Sequence, residues 1–339
     1  MATNSNRQVR LKSRPSGIPQ ANNFEIVDAP MPDIGDGQFL VRNEYLSVEP
    51  AMRGWVSAAA NYSTPVGIGE VMRSFAAGRV MASRHPDYAE GDAVMGMLGW
   101  QHYTLSNGSS ITRKVRESDL PLSLSLGVLG LNGITAYFGL LDLGQPRPGD
   151  TVVVSTAAGA VGSAVGQIAK LMGCTTVGIA GSAENTRLCR EAFGYDVAID
   201  YKAGASLSAA LAQACPHGAD VYFDNTAGAI SDAVLPRLAT GARVVICGTA
   251  AISSWDPPPM GPRVERHLLV KRARMSGLLI FDYAHRYEEA VARLAEWVRG
   301  GKIRYREDIG DGIEACPGAI AELYRGENLG KRLIRLRHD

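Results

Sequence analysis

The residues with the clearest chemical meaning form a turn of small side chains at 157–162. Its sequence is AAGAVG, which has the form A-x-G-x-x-G with Ala157, Gly159 and Gly162. Strand-like VVVS precedes the turn and a helical pattern over 160–172 follows it. Small residues there let the backbone approach a pyrophosphate, and the free N–H groups of a helix start attract phosphates. In this setting the turn predicts a dinucleotide site; an empty tight turn is the alternative.

The end of the second strand indicates which dinucleotide is bound. An NAD site usually has Asp or Glu there, about 20 residues on, to hold the ribose 2′-hydroxyl. This chain instead has Gly181 followed by Ser182, which leaves room for a 2′-phosphate and favours NADPH. Several nearby side chains could hydrogen-bond or neutralise that phosphate. They are Ser182, Asn185, Arg187, Tyr201 and Lys202.

A catalytic metal is not expected. The five cysteines all follow residue 173, are scattered, and form no C-x-x-C or Cys/His ligand spacing. His102 and His267 lack a suitably spaced partner, and we interpret both as structural. Scattered cysteines and the lack of an apolar signal segment predict a reduced, cytoplasmic protein.

Alternating strand and helix patterns surround the turn. Strand-like runs at 152–155, 175–181, 198–201, 220–228, 242–248 and 273–281 are interleaved with helical patterns at 160–172, 184–193, 206–214, 230–238 and 284–299. This alternation predicts an α/β, doubly wound parallel sheet of the Rossmann type. On the last helix, one face carries Tyr287, Ala290, Val291, Leu294 and Val298.

The rest of the chain is predicted to form a second, β-rich domain. Residues 1–126 contain short strand-like segments separated by Gly, Pro and Asp, which indicates a partly open barrel or sandwich. The tail is β-like at 303–308, helical at 315–325 and β-like at 331–337. We therefore expect 1–126, completed by 302–339, to form one domain and 127–301 the dinucleotide-binding domain.

Composition limits the partners. The chain has 339 residues, 46% of them hydrophobic, and a net charge of +1. The balanced charge predicts neither nucleic-acid nor acidic-membrane binding. No apolar run is long enough to span a bilayer.

Motifs along almost the whole length resemble one family. They include YLSVEPAMRG, PVGIGEVMRS, LGVLGLNGITAYFGLLDLGQPRPGDTVVVS, FDYAHRY and RGENLGK. Together they resemble the zinc-independent medium-chain dehydrogenase/reductases. The nearest resemblance is to alkenal double-bond reductases: the leukotriene B4 12-hydroxydehydrogenase/prostaglandin reductases, plant double-bond reductases and bacterial curcumin reductase.

The resemblance implies a GroES-like domain, a Rossmann domain, a cleft between them, and a homodimer that uses NADPH to saturate an activated C=C bond of an apolar enone or enal. It also implies that Gly159, Ala160, Val161 and Gly162 hold the pyrophosphate. Asn185 and Tyr201 match positions at the 2′-phosphate. Positions along the nicotinamide half are matched by Asn225, Cys247, Gly248, Leu278, Leu279, Ile280 and Asn328.

Three departures from the family pattern bear on function. Asn185 replaces a phosphate-binding Lys, which weakens NADPH preference unless Arg187 or Lys202 compensates. Ala51 replaces a common tyrosine, and TAAISSWDPPP lacks the tyrosine that the family usually has there. Tyr62, in AANYSTPVG, is the remaining candidate for the catalytic hydroxyl, with packing on its own domain as the alternative. The predicted apolar pocket walls are Met52, Trp55, Trp100, Trp255, Met260 and Tyr283.

Without a metal, catalysis would depend on hydride positioning and on hydrogen bonds to the developing enolate. The predicted reaction is therefore NADPH-dependent reduction of the C=C bond of α,β-unsaturated aldehydes or ketones. A quinone or carbonyl reductase on the same scaffold is one alternative. A non-catalytic NADPH-binding protein is another, because function belongs to the site and not to the fold.

Overall fold

The structure is a computed structural model that describes residues 5–58, 63–204, 206–252, 257 and 259–338. The chain divides into two compact units. Unit 1 comprises Met1–Gly127 and Glu307–Asp339, and unit 2 comprises Val128–Arg306. No helix in the described ranges is long and apolar enough to cross a membrane.

The strands and helices are as follows. The strands are β1 (Ser5–Leu11), β2 (Phe24–Pro30), β3 (Phe39–Ser47), β4 (Phe75–Ser83), β5 (Ala93–Met97), β6 (Tyr103–Ser106), β7 (Ile111–Lys114), β8 (Thr151–Ser155), β9 (Thr175–Ala180), β10 (Val197–Asp200), β11 (Ala219–Asp224), β12 (Leu238–Ile246), β13 (Arg274–Gly277), β14 (Glu307–Asp311) and β15 (Lys331–Arg335). The α-helices are α1 (Met52–Trp55), α2 (Leu131–Phe138), α3 (Ala160–Leu171), α4 (Ala183–Glu191), α5 (Leu207–Ala214), α6 (Gly228–Val234), α7 (Glu265–Lys271), α8 (Tyr287–Arg299) and α9 (Cys316–Arg325).

Unit 2 contains a six-stranded sheet in the order β10-β9-β8-β11-β12-β13, in which all neighbouring strands are parallel. Val152, Val153 and Val154 of β8 are fully buried, as expected for a central strand covered on both faces. The strand order reverses between β8 and β11. Ligands of such sheets bind at this point, beyond the carboxyl ends of the strands. The predicted doubly wound parallel sheet is confirmed.

Unit 1 is β-rich, as predicted. A seven-stranded sheet has the order β14-β15-β3-β4-β5-β7, with β6 also paired to β3, and β1 and β2 form a separate antiparallel pair. The two strands of the C-terminal tail join this sheet, because β15 pairs antiparallel with β3 and parallel with β14. Trp100 is fully buried in this unit and donates from its indole Nε1 to the carbonyl of Ser47 at 3.2 Å.

Several strands begin or end at residues other than those predicted, and side chains explain two of the differences. The run 220–228 leaves the sheet after Asp224, because the Asp224 carboxylate accepts the N–H groups of Thr226 and Ala227, each at 2.9 Å. The tail strand begins at Glu307 instead of 303. The side chain of Gln167 pairs with both backbone groups of Arg304, at 2.7 and 2.9 Å, in place of a neighbouring strand.

Helix α8 begins at Tyr287, after a 3₁₀ turn over Ile280–Arg286, and not at 284 as predicted. Its predicted apolar face includes the buried Tyr287, Ala290, Val291 and Leu294, whereas Val298 is half-buried. Strand β13 is shorter than the predicted run 273–281, because this turn begins at Ile280.

Candidate active site

The glycine turn lies between β8 and α3, at the carboxyl edge of the parallel sheet. Thr156 adopts a positive φ of 52°, and Gly159 is the residue before the first helical residue, Ala160. Gly159 has no side chain to cap the helix. The N–H groups of Ala160, Val161 and Gly162 belong to the first turn, where an α-helix leaves donors without intrahelical partners. The predicted pyrophosphate contacts are therefore gathered at one helix start.

Gly162 is fixed by close packing between this helix and the strand end. A Cβ at Gly162 would lie 2.3 Å from the carbonyl oxygen of Thr156 and 2.9 Å from the Cα of Ala157. A Cβ at Gly159 would lie 2.9 Å from Cγ2 of Thr156. The backbone thus forms a cradle that any larger residue would fill, which fits a pyrophosphate approaching the main chain.

Tyr195 stabilises the backbone of the cradle through a hydrogen bond to Gly162. Its fully buried hydroxyl donates to the carbonyl oxygen of Gly162 at 2.6 Å, and burial raises the pKa of this phenol well above its ordinary range. Cβ atoms at Gly166 and Gly178 would lie 2.2 Å and 3.1 Å from the ring. Sequence reasoning missed Tyr195. The signal was present, because Gly166 and Gly178 leave space for a large side chain between α3 and β9.

The end of β9 forms the second part of the site. Ser182 caps α4 by accepting the backbone N–H of Asn185 at 3.1 Å. Both side chains are half-buried. The carboxylate that would hold a ribose 2′-hydroxyl is missing from the strand end itself, where Gly181 stands.

Tyr201 and Lys202 meet at this same strand end. A Cβ on Gly181 would lie 3.1 Å from Cε1 of Tyr201 and 3.3 Å from Cε of Lys202. The Lys202 ammonium lies 5.7 Å from the centre of the Tyr201 ring. Arg187 differs from them: it is exposed on α4, and its guanidinium lies 4.0 Å from the Glu191 carboxylate one turn further along the helix.

The third part of the site is the reversal point between β8 and β11. Asn225 donates its backbone N–H to Ser155 Oγ at 2.8 Å and its side-chain amide to the Ser155 carbonyl at 2.7 Å. Ser155 Oγ in turn donates to Asp224 at 3.2 Å. Asn225, a predicted nicotinamide contact, is thus held at the ends of both central strands.

Asp224 organises this edge although the sequence analysis gave it no role. The carboxylate is fully buried and accepts hydrogen bonds from Ser155, Thr226, Ala227 and Ser231. Its backbone carbonyl accepts the N–H groups of Cys247 and Gly248 at 2.8 and 3.1 Å. A Cβ on Gly248 would lie 2.9 Å from the Asn225 carbonyl oxygen. Asp224 therefore holds together two segments that carry predicted cofactor contacts.

The remaining predicted cofactor contacts lie further apart along the chain. Leu278 continues the ladder beyond β13 by donating its N–H to the Ile246 carbonyl at 2.9 Å, and Leu279 and Ile280 follow it. Burial raises the pKa of the Cys247 thiol to about 12, so this thiol is neutral at physiological pH. Asn328 belongs to unit 1, where its amide donates to the Gly330 carbonyl at 2.6 Å.

The predicted pocket residues have different surroundings. Met52, Trp55 and Trp100 are buried in unit 1, with Trp55 packed at the edge of Phe75. Tyr283 is half-buried in unit 2 and stacks on Phe138 with ring centres 4.8 Å apart. Met260 is 97% exposed, because no described part of the chain packs over it. Its role as a pocket wall stays a prediction. Tyr62 and Trp255 lie outside the described residues.

The described residues contain no group of three or more His, Cys, Asp or Glu side chains arranged to hold a metal ion. His102 packs against the rings of His338 and Tyr103 in unit 1. His267 lies in α7 of unit 2.

Two family models match the chain. One, described as the N-terminal domain of oxidoreductase, matches residues 7–114. The other, described as zinc-binding dehydrogenase, matches residues 160–296, a range that begins within the glycine turn.

Similar proteins cover the chain from end to end. The NADPH-dependent curcumin reductase of Escherichia coli is 45% identical over 341 residues, which cover 98% of each chain. The 2-alkenal reductase (NADP(+)-dependent) of Nicotiana tabacum is 36% identical over 340 residues, or 99% of this chain and 98% of that protein. A crystal structure of CurA from Vibrio vulnificus in complex with NADPH is 43% identical, with a TM-score of 0.91 over 98% of this chain and 100% of that one. The chain therefore belongs to the zinc-independent medium-chain dehydrogenase/reductase family, as its motifs predicted.

Proposed function

We propose that this protein is an NADPH-dependent oxidoreductase that reduces the C=C bond of α,β-unsaturated aldehydes and ketones. The observation that carries this proposal is the backbone cradle at Gly159–Gly162, beside the reversal point of the sheet and with Gly181 in place of an acidic residue. Such a cradle accepts a dinucleotide, and the strand end leaves room for its 2′-phosphate. The names of two relatives, a curcumin reductase and a 2-alkenal reductase, support the proposal that the C=C bond is the one reduced.

The reaction consumes one hydride and one proton for each double bond. Bound NADPH supplies the hydride, which is added to the β-carbon of the substrate, and a proton is added to the α-carbon. The protein's own contribution is to hold the two reactants in line and to keep hydrogen-bond donors near the substrate oxygen, where negative charge develops.

Different groups of residues are proposed to contact different parts of the cofactor. Gly159, Ala160, Val161 and Gly162 offer backbone N–H groups to the pyrophosphate. Ser182, Asn185 and Tyr201 lie on the side of the 2′-phosphate. Asn225, Cys247, Gly248 and the segment 278–280 are proposed to border the nicotinamide half, to which the family resemblance also assigns Asn328.

Tyr62 is proposed as the hydroxyl donor to the substrate oxygen. This proposal depends on sequence alone: Ala51 and the segment 249–259 lack the tyrosines that the family resemblance implies, and Tyr62 is the best remaining candidate. Met52, Trp55 and Tyr283 are proposed to provide apolar surface for the substrate. The protein is proposed to need no metal, because its five cysteines all follow residue 173 and form no Cys/His ligand spacing.

A product analysis tests the proposal. The purified protein is incubated with NADPH and a panel of enones and enals, and the products are identified by mass spectrometry and NMR. We expect a saturated aldehyde or ketone with the carbonyl intact. An allylic alcohol would indicate a carbonyl reductase instead, and turnover of quinones alone a quinone reductase. Binding of NADPH without oxidation by any substrate would indicate a non-catalytic protein. Activity that survives exhaustive chelation would support the metal-free reaction.

The protein is further proposed to be a homodimer in the cytoplasm. Strand β13 is an edge strand, and the adjoining α7 exposes Leu269 and Val270 by 78% and 56%. Edge strands and exposed apolar side chains favour association. Light scattering of the purified protein tests the dimer, and a monomer at micromolar concentration would contradict it. Cell fractionation tests the location.

A further inference from the structure

Residues 200–202 continue the parallel ladder between β10 and β9 past the carboxyl end of β9. The N–H of Tyr201 donates to the carbonyl of Ala180 at 3.1 Å, and the N–H of Lys202 donates to Asp200 Oδ1 at 2.9 Å. These two bonds fix the backbone, so that the Tyr201 ring and the Lys202 stem both reach Gly181. A side chain on Gly181 would occupy the space where they meet. Tyr201 and Lys202 therefore occupy the position at which NAD enzymes carry their acidic residue.

The Lys202 ammonium is available to a ligand. Its Nζ atom lies over the face of the Tyr201 ring, 5.7 Å from the ring centre. Among the described residues, no carboxylate lies within 4.0 Å of this Nζ atom. The Tyr201 hydroxyl lies 3.3 Å from the Cβ position of Gly181, which brings a neutral donor to the same strand end. A cation and a hydroxyl donor at one point suit a phosphate monoester, which accepts charge-assisted hydrogen bonds.

The other candidates are less suitable. Asn185 carries no charge, and its backbone N–H is already used by Ser182. Arg187 is exposed on α4, where its guanidinium lies 4.0 Å from the Glu191 carboxylate, and the atoms nearest to the Cβ position of Gly181 belong to Tyr201 and Lys202. These observations indicate that the positive charge that binds a 2′-phosphate comes from Lys202, in the turn after β10.

We infer that Lys202 is the specificity-determining cation for the 2′-phosphate of NADPH, with Tyr201 as its hydrogen-bonding partner. The inference rests on the proposed function, because it assigns a residue to the cofactor site proposed there. Asn185 in this chain is then compatible with NADPH preference, because the charge is supplied from the neighbouring strand.

Direct binding tests the inference without turnover. The ligands are NADPH, NADH and 2′,5′-ADP, a fragment that carries the phosphate without the nicotinamide half. Dissociation constants are measured by calorimetry for the intact protein and for Lys202→Met, which keeps the length of the stem and removes the charge. Loss of one charge-assisted hydrogen bond weakens binding by roughly tenfold to a hundredfold. We expect this loss for NADPH and 2′,5′-ADP, and a change of less than about twofold for NADH.

Two further variants make the result decisive. Lys302→Met removes an exposed lysine of the same unit and should leave all three affinities unchanged. Arg187→Met should change them far less than Lys202→Met. The inference is overturned if Lys202→Met binds 2′,5′-ADP normally, or if Arg187→Met shows the larger loss. Either result would leave the proposed function intact as long as the wild-type protein binds NADPH and reduces enones. A wild-type protein that binds neither NADPH nor 2′,5′-ADP would overturn both.

Discussion

The hydroxyl of Tyr195 donates a 2.6 Å hydrogen bond to the carbonyl oxygen of Gly162, the last residue of the glycine turn. The bond is fully buried and joins a residue two positions before β10 to the first turn of α3. It holds the first turn of α3 in place relative to β9. The bond thereby also positions the N–H groups that are proposed to bind the pyrophosphate. Tyr195 thereby acts on the cofactor site through the backbone and not by contact.

We predict that Tyr195→Phe lowers the free energy of unfolding by about 1 kcal/mol, the net value of one neutral hydrogen bond. The ring still fills the space that Gly166 and Gly178 leave, so the fold is retained. Denaturant unfolding measures the loss. Tyr305→Phe is the control, because Tyr305 is an exposed tyrosine of the same unit and its hydroxyl should contribute little. Equal stability of the Tyr195 and Tyr305 variants would show that the buried bond is not stabilising.

We predict that Gly162→Ala impairs both folding stability and NADPH binding. Its Cβ would lie 2.3 Å from the Thr156 carbonyl oxygen, which is backbone and cannot turn aside, so helix and strand must separate. Overpacking of this kind typically costs about 2 kcal/mol. Thermal melting and NADPH titration measure the two effects. Gly318→Ala in α9 is the control, since its Cβ would meet only the flexible end of Glu322 at 3.4 Å. A Gly162 variant that melts and binds like this control would refute the predicted clash.

We predict that Asp224→Asn weakens NADPH binding more than binding of 2′,5′-ADP. The amide nitrogen of Asn donates where the carboxylate oxygen accepted, so some hydroxyl or N–H donors around residue 224 lose their partner. Hydrogen bonds to charged groups contribute about 1.5–3 kcal/mol each, and we expect a loss of stability of at least about 2 kcal/mol. The loops that carry Asn225 and Cys247 would loosen, whereas the distant 2′-phosphate site would not. Equal weakening of both ligands would indicate a general loss of structure.

Much of this arrangement could be predicted from the sequence, and the reasons are physical. Alternating strand and helix periods predicted the parallel sheet, because VVVS at 152–155 fits a fully buried central strand. The glycine spacing predicted the cradle, since only small residues allow such close approach. The strand that ends at Asp224 was predicted four residues too long, because its end depends on a side-chain carboxylate capturing two backbone N–H groups.

Contacts between residues distant in sequence could not be predicted. The bond from Tyr195 to Gly162 joins residues 33 positions apart; Gly166 and Gly178 signal space for a large side chain but not which residue fills it. Arg187 and Lys202 were equal candidates for the 2′-phosphate in the sequence. Their surroundings separate them, because Glu191 lies beside one and Gly181 beside the other.

We predict that the stability gained by replacing Glu307 with Gln grows as the pH rises from 4.5 towards 7. Burial raises the pKa of Glu307 above its ordinary value of 4.5, although Ser123 donates to it at 3.0 Å and Lys331 lies opposite it in β15. A raised carboxyl pKa means that stability is full below pH 4.5 and is lost as the pH rises through the folded-state pKa. Denaturant unfolding of both proteins at several pH values measures the difference.

Asp92 is the control, because its pKa is shifted in the opposite direction to that of Glu307. The hydrogen bond from Lys114 at 2.7 Å lowers the pKa of Asp92 below 3.8. Asp92→Asn should therefore cost stability at neutral pH, and the difference from wild type should disappear as the pH falls below 3.8. A Glu307 variant whose difference from wild type does not change with pH would show that its carboxyl group titrates normally.

The Tyr62 hydroxyl is the proposed hydrogen-bond donor to the oxygen of the substrate. If Tyr62 donates a hydrogen bond to the substrate oxygen, Tyr62→Phe removes that donor and keeps the ring. One hydrogen bond to a developing oxyanion contributes roughly 3–4 kcal/mol, so kcat should fall by about 10² to 10³. The Kd for NADPH should change little, because the hydroxyl is assigned to the substrate and not to the cofactor. Tyr305→Phe again serves as the control and should leave kcat unchanged. A Tyr62→Phe enzyme with nearly normal kcat would mean that the ribose of the cofactor and solvent stabilise the enolate, and that Tyr62 only packs.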